Sequence, residues 1–373
     1  MGTCTAKDTN PEYWSDYSNL QHVKHKIIQN YLNGWFPKLG RWSGRICYFD
    51  THAGRGRHKG GQEGSPLVAL GCILNHKHRE SHLSGCEIKM FFIEADDQNC
   101  CALQNEINRL GPLPKQVQVH TITENCFDTL QSILEHLNES GNSLAPAFIF
   151  VDPYGFKVPG AVLRKLMAFD RVELFVNVIW RELSMAIAQG ETQPGMANTL
   201  NEIFEGEQWH GLVGMAFDEQ ANACINLIRK NTGAKWATHI RMLGPNGATR
   251  YMLMHLTNHD SGRNLMKDCV WKACPENGYY ARAKDDPKQQ FLIRPEPDLK
   301  PLEDWVIKIL SSGPTKWKDL LEQNLSEIWR DTHLNKVIKQ CRKSGRIGAR
   351  NYEGRFALTN NPELFIYKRG FFQ

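Results

Sequence analysis

Ile46-Cys47-Tyr48-Phe49-Asp50-Thr51-His52-Ala53-Gly54-Arg55-Gly56-Arg57 is the stretch on which the fold turns. Four mostly apolar residues run into an acid, and two glycines follow. An apolar run ending in a polar turn has the pattern of a buried parallel strand meeting the loop at its carboxyl end. In open α/β sheets, the crevice outside those ends is where ligands bind. Gly54 and Gly56 lack a Cβ, so the turn can be sharp and main chain can lie close to a ligand. Many phosphate and nucleotide loops share this acid-and-glycine pattern, so the flanking segments must decide.

Downstream, the same pattern recurs. Apolar runs at 89–93, 117–122 and 147–151 end at Glu94, at Glu124-Asn125 and at Asp152-Pro153-Tyr154-Gly155. Helical segments at 67–74, 98–110, 129–137 and 160–169 separate these runs, and a fifth strand spans 172–179. Such alternation predicts a parallel sheet covered by helices on both faces. Residues 181–232 then break it with helical segments, and two strands at 236–243 and 250–257 follow, joined through Pro245-Asn246-Gly247. Asn-Gly between such runs signals a hairpin. A parallel sheet finished by an antiparallel hairpin is the class I methyltransferase form of a Rossmann-like α/β fold. Upstream, a cap helix is expected over 16–36, ended by Pro37 and Gly40.

A proline-rich linker at 294–301 precedes helices at 302–310, 317–325 and 332–344 and a hairpin of 346–349 with 356–359. That order predicts a winged helix. The domain organisation is therefore a cap over 1–45, an α/β domain over 46–293 with a helical insertion at 181–232, the linker, and a winged helix over 302–373.

Composition narrows the class. With 373 residues, 41% hydrophobic and 23% charged, the chain can bury a large core. Its longest apolar runs, 147–151 and 174–180, are too short to cross a bilayer, and no apolar signal core opens the sequence. A cytoplasmic protein is expected, with no membrane partner. Eleven cysteines without a C-x-x-C pair suit free thiols. His76, His78 and His82 sit among Lys77, Arg79 and Glu80, which suits a hydrated loop, and no metal is expected.

The net charge of +5 is unevenly placed. Residues 301–373 carry 13 Lys/Arg against 8 Asp/Glu, which leaves 32 of each elsewhere. Lys336, Lys339, Arg342 and Lys343 on the third helix, with Arg346 and Arg350 on the wing, suit phosphate contacts. Protein docking is the alternative for such a module.

Four strand ends carry the chemistry. Asp50, Gly54 and Gly56 suit the amino-acid end of a nucleoside-bearing ligand, and Glu94 can accept from ribose hydroxyls. Asn125 can read an adenine edge, with Asp128 as a substitute. Asp152-Pro153-Tyr154 is the most specific piece: an acid or carbonyl accepts from an exocyclic amine, and the ring stacks on its base.

Lys24-His25, the run from Tyr48 to Arg57, Gly64-Ser65-Pro66 and Asp152-Pro153-Tyr154-Gly155-Phe156-Lys157 together resemble the three-Cys-motif partner protein family. So do Val178-Ile179-Trp180-Arg181-Glu182, Thr257-Asn258, Met266-Lys267 and Trp271. Members of that family resemble class I methyltransferases and occur beside radical-SAM-like proteins. Several of these motifs are also similar to ribosomal-RNA adenine-N6 methyltransferases. That resemblance implies S-adenosylmethionine (SAM) as cofactor, held by Lys24, Asp50, Gly54, Ser65 and Glu94, with Thr51 and Ala53 in the same turn and Asp152 catalytic. Asp-Pro-Tyr-Gly stands where those enzymes carry Asp-Pro-Pro-Tyr, and it also resembles the turn of tRNA guanine-N2 methyltransferases.

The expected function is SAM-dependent methylation of an exocyclic amine on a nucleic-acid base, with Arg57, His58 and Lys59 also holding the backbone. One alternative is a partner subunit that binds SAM and docks nucleic acid or a radical-SAM-like protein without methylating. The other is a metal-dependent nuclease using Asp50, Glu94 and Asp152.

Overall fold

The computed structural model describes residues 17–77, 79–285 and 295–367, with His82 described by its backbone alone. Readings that fall on Asp16, His78, the His82 side chain and Arg294 lie outside those residues. The described residues fall within two compact units, Met1–Ala273 with Tyr280–Gln289, and Cys274–Tyr279 with Gln290–Gln373.

The first unit is built on β1 (Arg45–Asp50), β2 (Glu87–Ile93), β3 (Val117–Ile122), β4 (Ala147–Val151) and β5 (Val172–Val178). β6 (Trp236–Leu243), β7 (Thr249–Thr257) and β8 (Tyr280–Arg282) complete the sheet. The strand order is β3-β2-β1-β4-β5-β7-β6-β8. β1 to β5 are mutually parallel, and β7 runs antiparallel to both β5 and β6. This is the class I methyltransferase sheet. β4 and β5 are buried along their whole length, which is why each is a nearly unbroken apolar run. The direction of chain travel reverses between β1 and β4, the switch point where a crevice opens outside the carboxyl ends.

α1 (Asn19–Gly40) starts at Ser18, whose hydroxyl accepts from Gln21 N–H while the Gln21 side chain caps Ser18 N–H. Its apolar stripe, including Ile27, Ile28, Tyr31 and Trp35, is buried. Contrary to expectation, Pro37 does not end the helix. Proline there removes the N–H that would have met the Asn33 carbonyl, and the His76 ring nitrogen takes that carbonyl at 3.0 Å. His76 thus belongs to the packing of α1. Among the described residues, no cluster of three His, Cys, Asp or Glu side chains is placed to hold a metal ion.

α2 (Ser65–Leu74), α3 (Asp97–Arg109), α4 (Cys126–Glu139) and α5 (Gly160–Met167) join the parallel strands. The insertion comprises α6 (Trp180–Gly190), α7 (Pro194–Phe204), a 3-10 turn at Glu207–Leu212 and α8 (Phe217–Thr232). α9 (Asp260–Ala273) follows the hairpin. The insertion packs around fully buried Trp180 and Trp209, each a site where truncation to Ala costs roughly 3–5 kcal/mol.

The second unit contains α10 (Lys300–Ser311), β9 (Thr315–Lys316), α11 (Trp317–Asn324), α12 (Asp331–Lys343), β10 (Ile347–Arg350) and β11 (Glu363–Ile366). Its sheet order is β10-β11-β9. The partner of β10 is β11, not the expected segment at 356–359. Phe356 is drawn off to stack on Trp317 and Leu358 is 64% exposed, whereas Leu364 is fully buried and Phe365 lies opposite Gly348 in the register. Glycine leaves room for that ring, since a Cβ there would come within 2.3 Å of it.

Among the described residues, no helix is long and apolar enough to cross a membrane.

Candidate functional site

The carboxyl ends of β1, β2, β3 and β4 are laced together before any ligand is considered. Thr51 N–H donates to Phe150 C=O at 3.0 Å, Ala53 N–H to Ile93 C=O at 2.9 Å, and Glu94 N–H to Ile122 C=O at 3.0 Å. Glu94 then accepts from Gly54 N–H at 2.7 Å and from Asp96 N–H at 3.0 Å. The acid expected to accept from ribose is therefore buried and fixes the turn after β1, with one backbone N–H on each of its oxygens.

Gly54 has φ of 62° and Gly56 of 85°, the left-handed region that favours glycine. For Gly56 the need is packing rather than access. Its carbonyl accepts Gly64 N–H at 2.7 Å, and a Cβ would stand 2.9 Å from Leu103.

Asp50 is fully buried. One carboxylate oxygen accepts weakly from His52 N–H at 3.4 Å, and the other has no partner among the described residues. Burial pushes its carboxyl up to about 7, against the Ser65 hydroxyl, which lowers it. A buried carboxylate in that condition calls for a cation.

Across the switch point, Asp152 is held on both sides. Lys24 Nζ lies 2.5 Å from one oxygen, and Asn177 Nδ2 donates to the other at 2.6 Å. Burial alone would raise this carboxyl. The charge and hydrogen bond of Lys24, then the Asn177 amide, outweigh it and hold Asp152 below its ordinary value. A carboxylate only accepts, so the Asn177 amide must turn its nitrogen to Asp152. Its oxygen, buried and without a partner among the described residues, is left over. His52 bonds the Thr51 hydroxyl at 2.8 Å and is pushed down to about 4 by burial, so it is neutral. Burial and the neighbouring Lys24 charge push His25 down to about 3.

Lys24, His52, Asp152, Pro153, Tyr154 and Asn177 share a cleft of about 440 Å³, whose rim includes Arg181, Glu182 and Arg250. Tyr154 is 57% exposed.

Other expected site residues fall elsewhere. Asn125 is the N-cap of α4, its side-chain oxygen accepting from Phe127 and Asp128 N–H at 2.9 and 3.3 Å. A cap explains it without an adenine. His58 is only 4% exposed, with Tyr17 edge-on 4.9 Å from its ring, so it is corrected from phosphate contact to packing. Arg57 is engaged by Glu106 at 2.8 Å, Gly61 C=O at 2.8 Å and Glu63 at 3.6 Å, while Lys59 is exposed. In the second unit, Lys336 pairs with Glu296 at 2.7 Å, Arg346 with Glu303 at 2.7 Å, and Arg350 with Glu363 at 3.0 Å. Arg342 lies 3.6 Å over the Tyr352 ring, and Lys339 and Lys343 are exposed.

Sequence reasoning missed Asn177, Arg181 and Arg250. Asn177 carried a signal, since a polar side chain within the apolar run at 172–178 must find a partner.

A scan against protein-family models finds no match to this chain, and a search of curated proteins finds none. Among solved structures, a SAM-dependent methyltransferase from Agrobacterium tumefaciens is 11% identical, covers 63% of this chain and has a TM-score of 0.34. The match spans 62% of that protein's length. Trm1 from Pyrococcus horikoshii, solved with S-adenosyl-L-methionine, is 11% identical over 97% of this chain and 94% of its own, with a TM-score of 0.40. The methyltransferase domain of bacterial CtHen1 is 9% identical over 62% of this chain and 99% of its own, with a TM-score of 0.31. At such identities the chemistry has to be argued from this chain's own residues.

Proposed function

We propose that this protein is a SAM-dependent methyltransferase acting on an exocyclic amine of a nucleic-acid base. The observation that carries the reading is Asp50: a fully buried carboxylate oxygen with no partner among the described residues, at the switch-point end of β1. It fits the ammonium of an amino-acid-bearing cofactor, with the Gly54 turn and Glu94 toward the ribose. When bound, SAM supplies an electrophilic methyl group and departs as a neutral thioether.

Asp152, ionised through Lys24, places a carboxylate beside the amine, which helps to stabilise the positive charge that develops on nitrogen as the methyl group arrives. The leftover Asn177 oxygen is an acceptor for one amine N–H, which orients the nitrogen lone pair toward the methyl carbon. Because both Asp152 oxygens are engaged, catalysis rests on positioning and charge complementarity rather than on proton abstraction by this acid, and the methylated nitrogen sheds its proton to solvent in the open cleft. The exposed Tyr154 ring offers a stacking face. We read the second unit as a winged helix that docks nucleic acid, with Lys339 and Lys343 of its third helix among the cations it exposes.

The resemblance to the three-Cys-motif partner family supports a second reading, a SAM-binding subunit that does not methylate. The closed Lys24–Asp152–Asn177 arrangement favours it, since nothing there moves a proton. Transfer of a tritiated methyl group from SAM to RNA or DNA, lost in Asp152→Asn with SAM binding kept, supports the enzyme. SAM binding without transfer to any nucleic acid supports the subunit. A protein that binds no SAM contradicts both.

A further inference from the structure

We infer that Arg181 and Arg250 grip the phosphodiester beside the target base, so that the substrate enters as a single strand or a flipped nucleotide. The inference rests on the methyltransferase reading and adds what that reading lacks, a backbone anchor at the cleft itself.

Register brings the two arginines together. Val178, the last residue of β5, lies opposite Met252 of β7. β7 is antiparallel, so Arg250, two residues before Met252, lies beyond the carboxyl end of β5, where the chain continues to Arg181. Both line the cleft that contains Asp152 and Tyr154. Both are exposed, and neither side chain makes a hydrogen bond or ion pair with another described residue. Arg57 and Arg346, by contrast, are held by carboxylates. Lys24 and Asp152 cancel each other within the cleft. The charges left at the rim are the two guanidiniums and the Glu182 carboxylate, which favours an anion by one charge.

A guanidinium fork matches two phosphate oxygens. Bases are flat and stack on aromatic rings whatever their sequence, at roughly 1–3 kcal/mol each. A stacking face beside a phosphate-matching pair is the pattern for one nucleotide turned out of its neighbours.

The test is binding of the full-length protein to a fluorescein-labelled single-stranded RNA, to the same sequence as DNA, and to its duplex, across a salt series. The double variant Arg181→Ala/Arg250→Ala should bind both single strands more weakly, with a salt slope smaller by about 0.7 for each phosphate that is no longer neutralised. Arg164→Ala, which removes a surface guanidinium held by Glu205, should match wild type. Glu182→Gln should bind more tightly, and Arg181→Lys/Arg250→Lys should recover part of the affinity by restoring charge without the fork. A double variant with wild-type affinity and slope overturns the inference, even if the wild type methylates nucleic acid. A wild type that methylates a small molecule or protein but binds no strand overturns the nucleic-acid reading and this inference together. Tighter binding to the duplex than to either strand overturns the flipped or single-stranded entry. The RNA-to-DNA ratio identifies which strand supplies the phosphodiester.

Discussion

β5 carries two buried polar side chains, Glu173 near its start and Asn177 near its end, and the fold treats them oppositely. They are four residues apart and so project from the same face, roughly 13 Å apart along the strand. α1 serves both. Tyr31 and Trp35 reach Glu173, while Lys24, seven residues before Tyr31, reaches the acid that Asn177 holds. Glu173 accepts from the Tyr31 hydroxyl, from Trp35 Nε1 at 3.3 Å and from His255 Nε2 at 2.8 Å. Its charge is met by three donors, and burial together with the Glu173 charge drives the Tyr31 hydroxyl well above its ordinary value. What is left over there is one imidazole nitrogen of His255. At the other end a carboxylate oxygen of Asp50 and the oxygen of Asn177 stay without partners among the described residues. Burying a carboxylate unpaired costs far more than burying an imidazole nitrogen, so that end is built for something that arrives.

The contrast predicts opposite costs for mutation at the two ends. The largest effect is expected at Asp152. Asp152→Asn removes the charge facing the cleft, and methyl transfer should fall by roughly 10²–10³-fold in single turnover. A wild-type rate would mean that the cleft is not where reaction occurs. At the other end, Glu173→Ala strands three donors and should cost about 3 kcal/mol or more in urea unfolding. Its folded fraction should bind SAM normally. If affinity fell with stability, the two ends would not be separable.

Asp50→Asn should reverse that pattern, with affinity lost and stability gained. The folded-state value of about 7 lies above the ordinary 3.8, so Asp50 contributes stability while protonated and loses it as pH rises from about 4 to about 7. Each unit of that rise costs about 1.4 kcal/mol. The Asn variant should therefore melt higher than wild type at pH 8 and differ little at pH 4. In the wild type, affinity for a cationic ligand should rise with pH and level off above about 7, as the carboxylate sheds its proton. Calorimetry in buffers of different ionisation enthalpy should show a proton released on binding at pH 6. A pH-independent affinity would remove Asp50 from the cation site.

Much of the frame is legible in the sequence because burial on both faces leaves β4 an apolar run that stops at a polar turn, and β5 an apolar run broken only by Glu173 and Asn177. The acids at the strand ends, Asp50, Glu94 and Asp152, are legible as positions by the same rule. Partnerships are not. Glu173 and Asn177 look alike in sequence, and only tertiary packing shows that one is satisfied and the other is not. Arg57 looks free because Glu106 is far along the chain, and His58 looks exposed because Tyr17, which covers it, precedes α1. Pro37 looks like a helix end because nothing local announces that His76 will take the orphaned carbonyl.

The smallest expected effect separates a structural polar residue from a ligand-reading one at the third strand end. Asn125 caps α4 through its side-chain oxygen, which Asp reproduces and Ala does not. Asn125→Ala should lower stability by about 1 kcal/mol, and Asn125→Asp should leave it unchanged. If Asn125 only caps the helix, both variants keep wild-type SAM affinity once the folded fraction is corrected. If its amide nitrogen donates to an adenine edge, Asn125→Asp loses affinity while its stability holds, because a carboxylate has no hydrogen to give. Thermal unfolding paired with calorimetry on the two variants decides it, and lost affinity in a fully stable Asp variant would return Asn125 to the site.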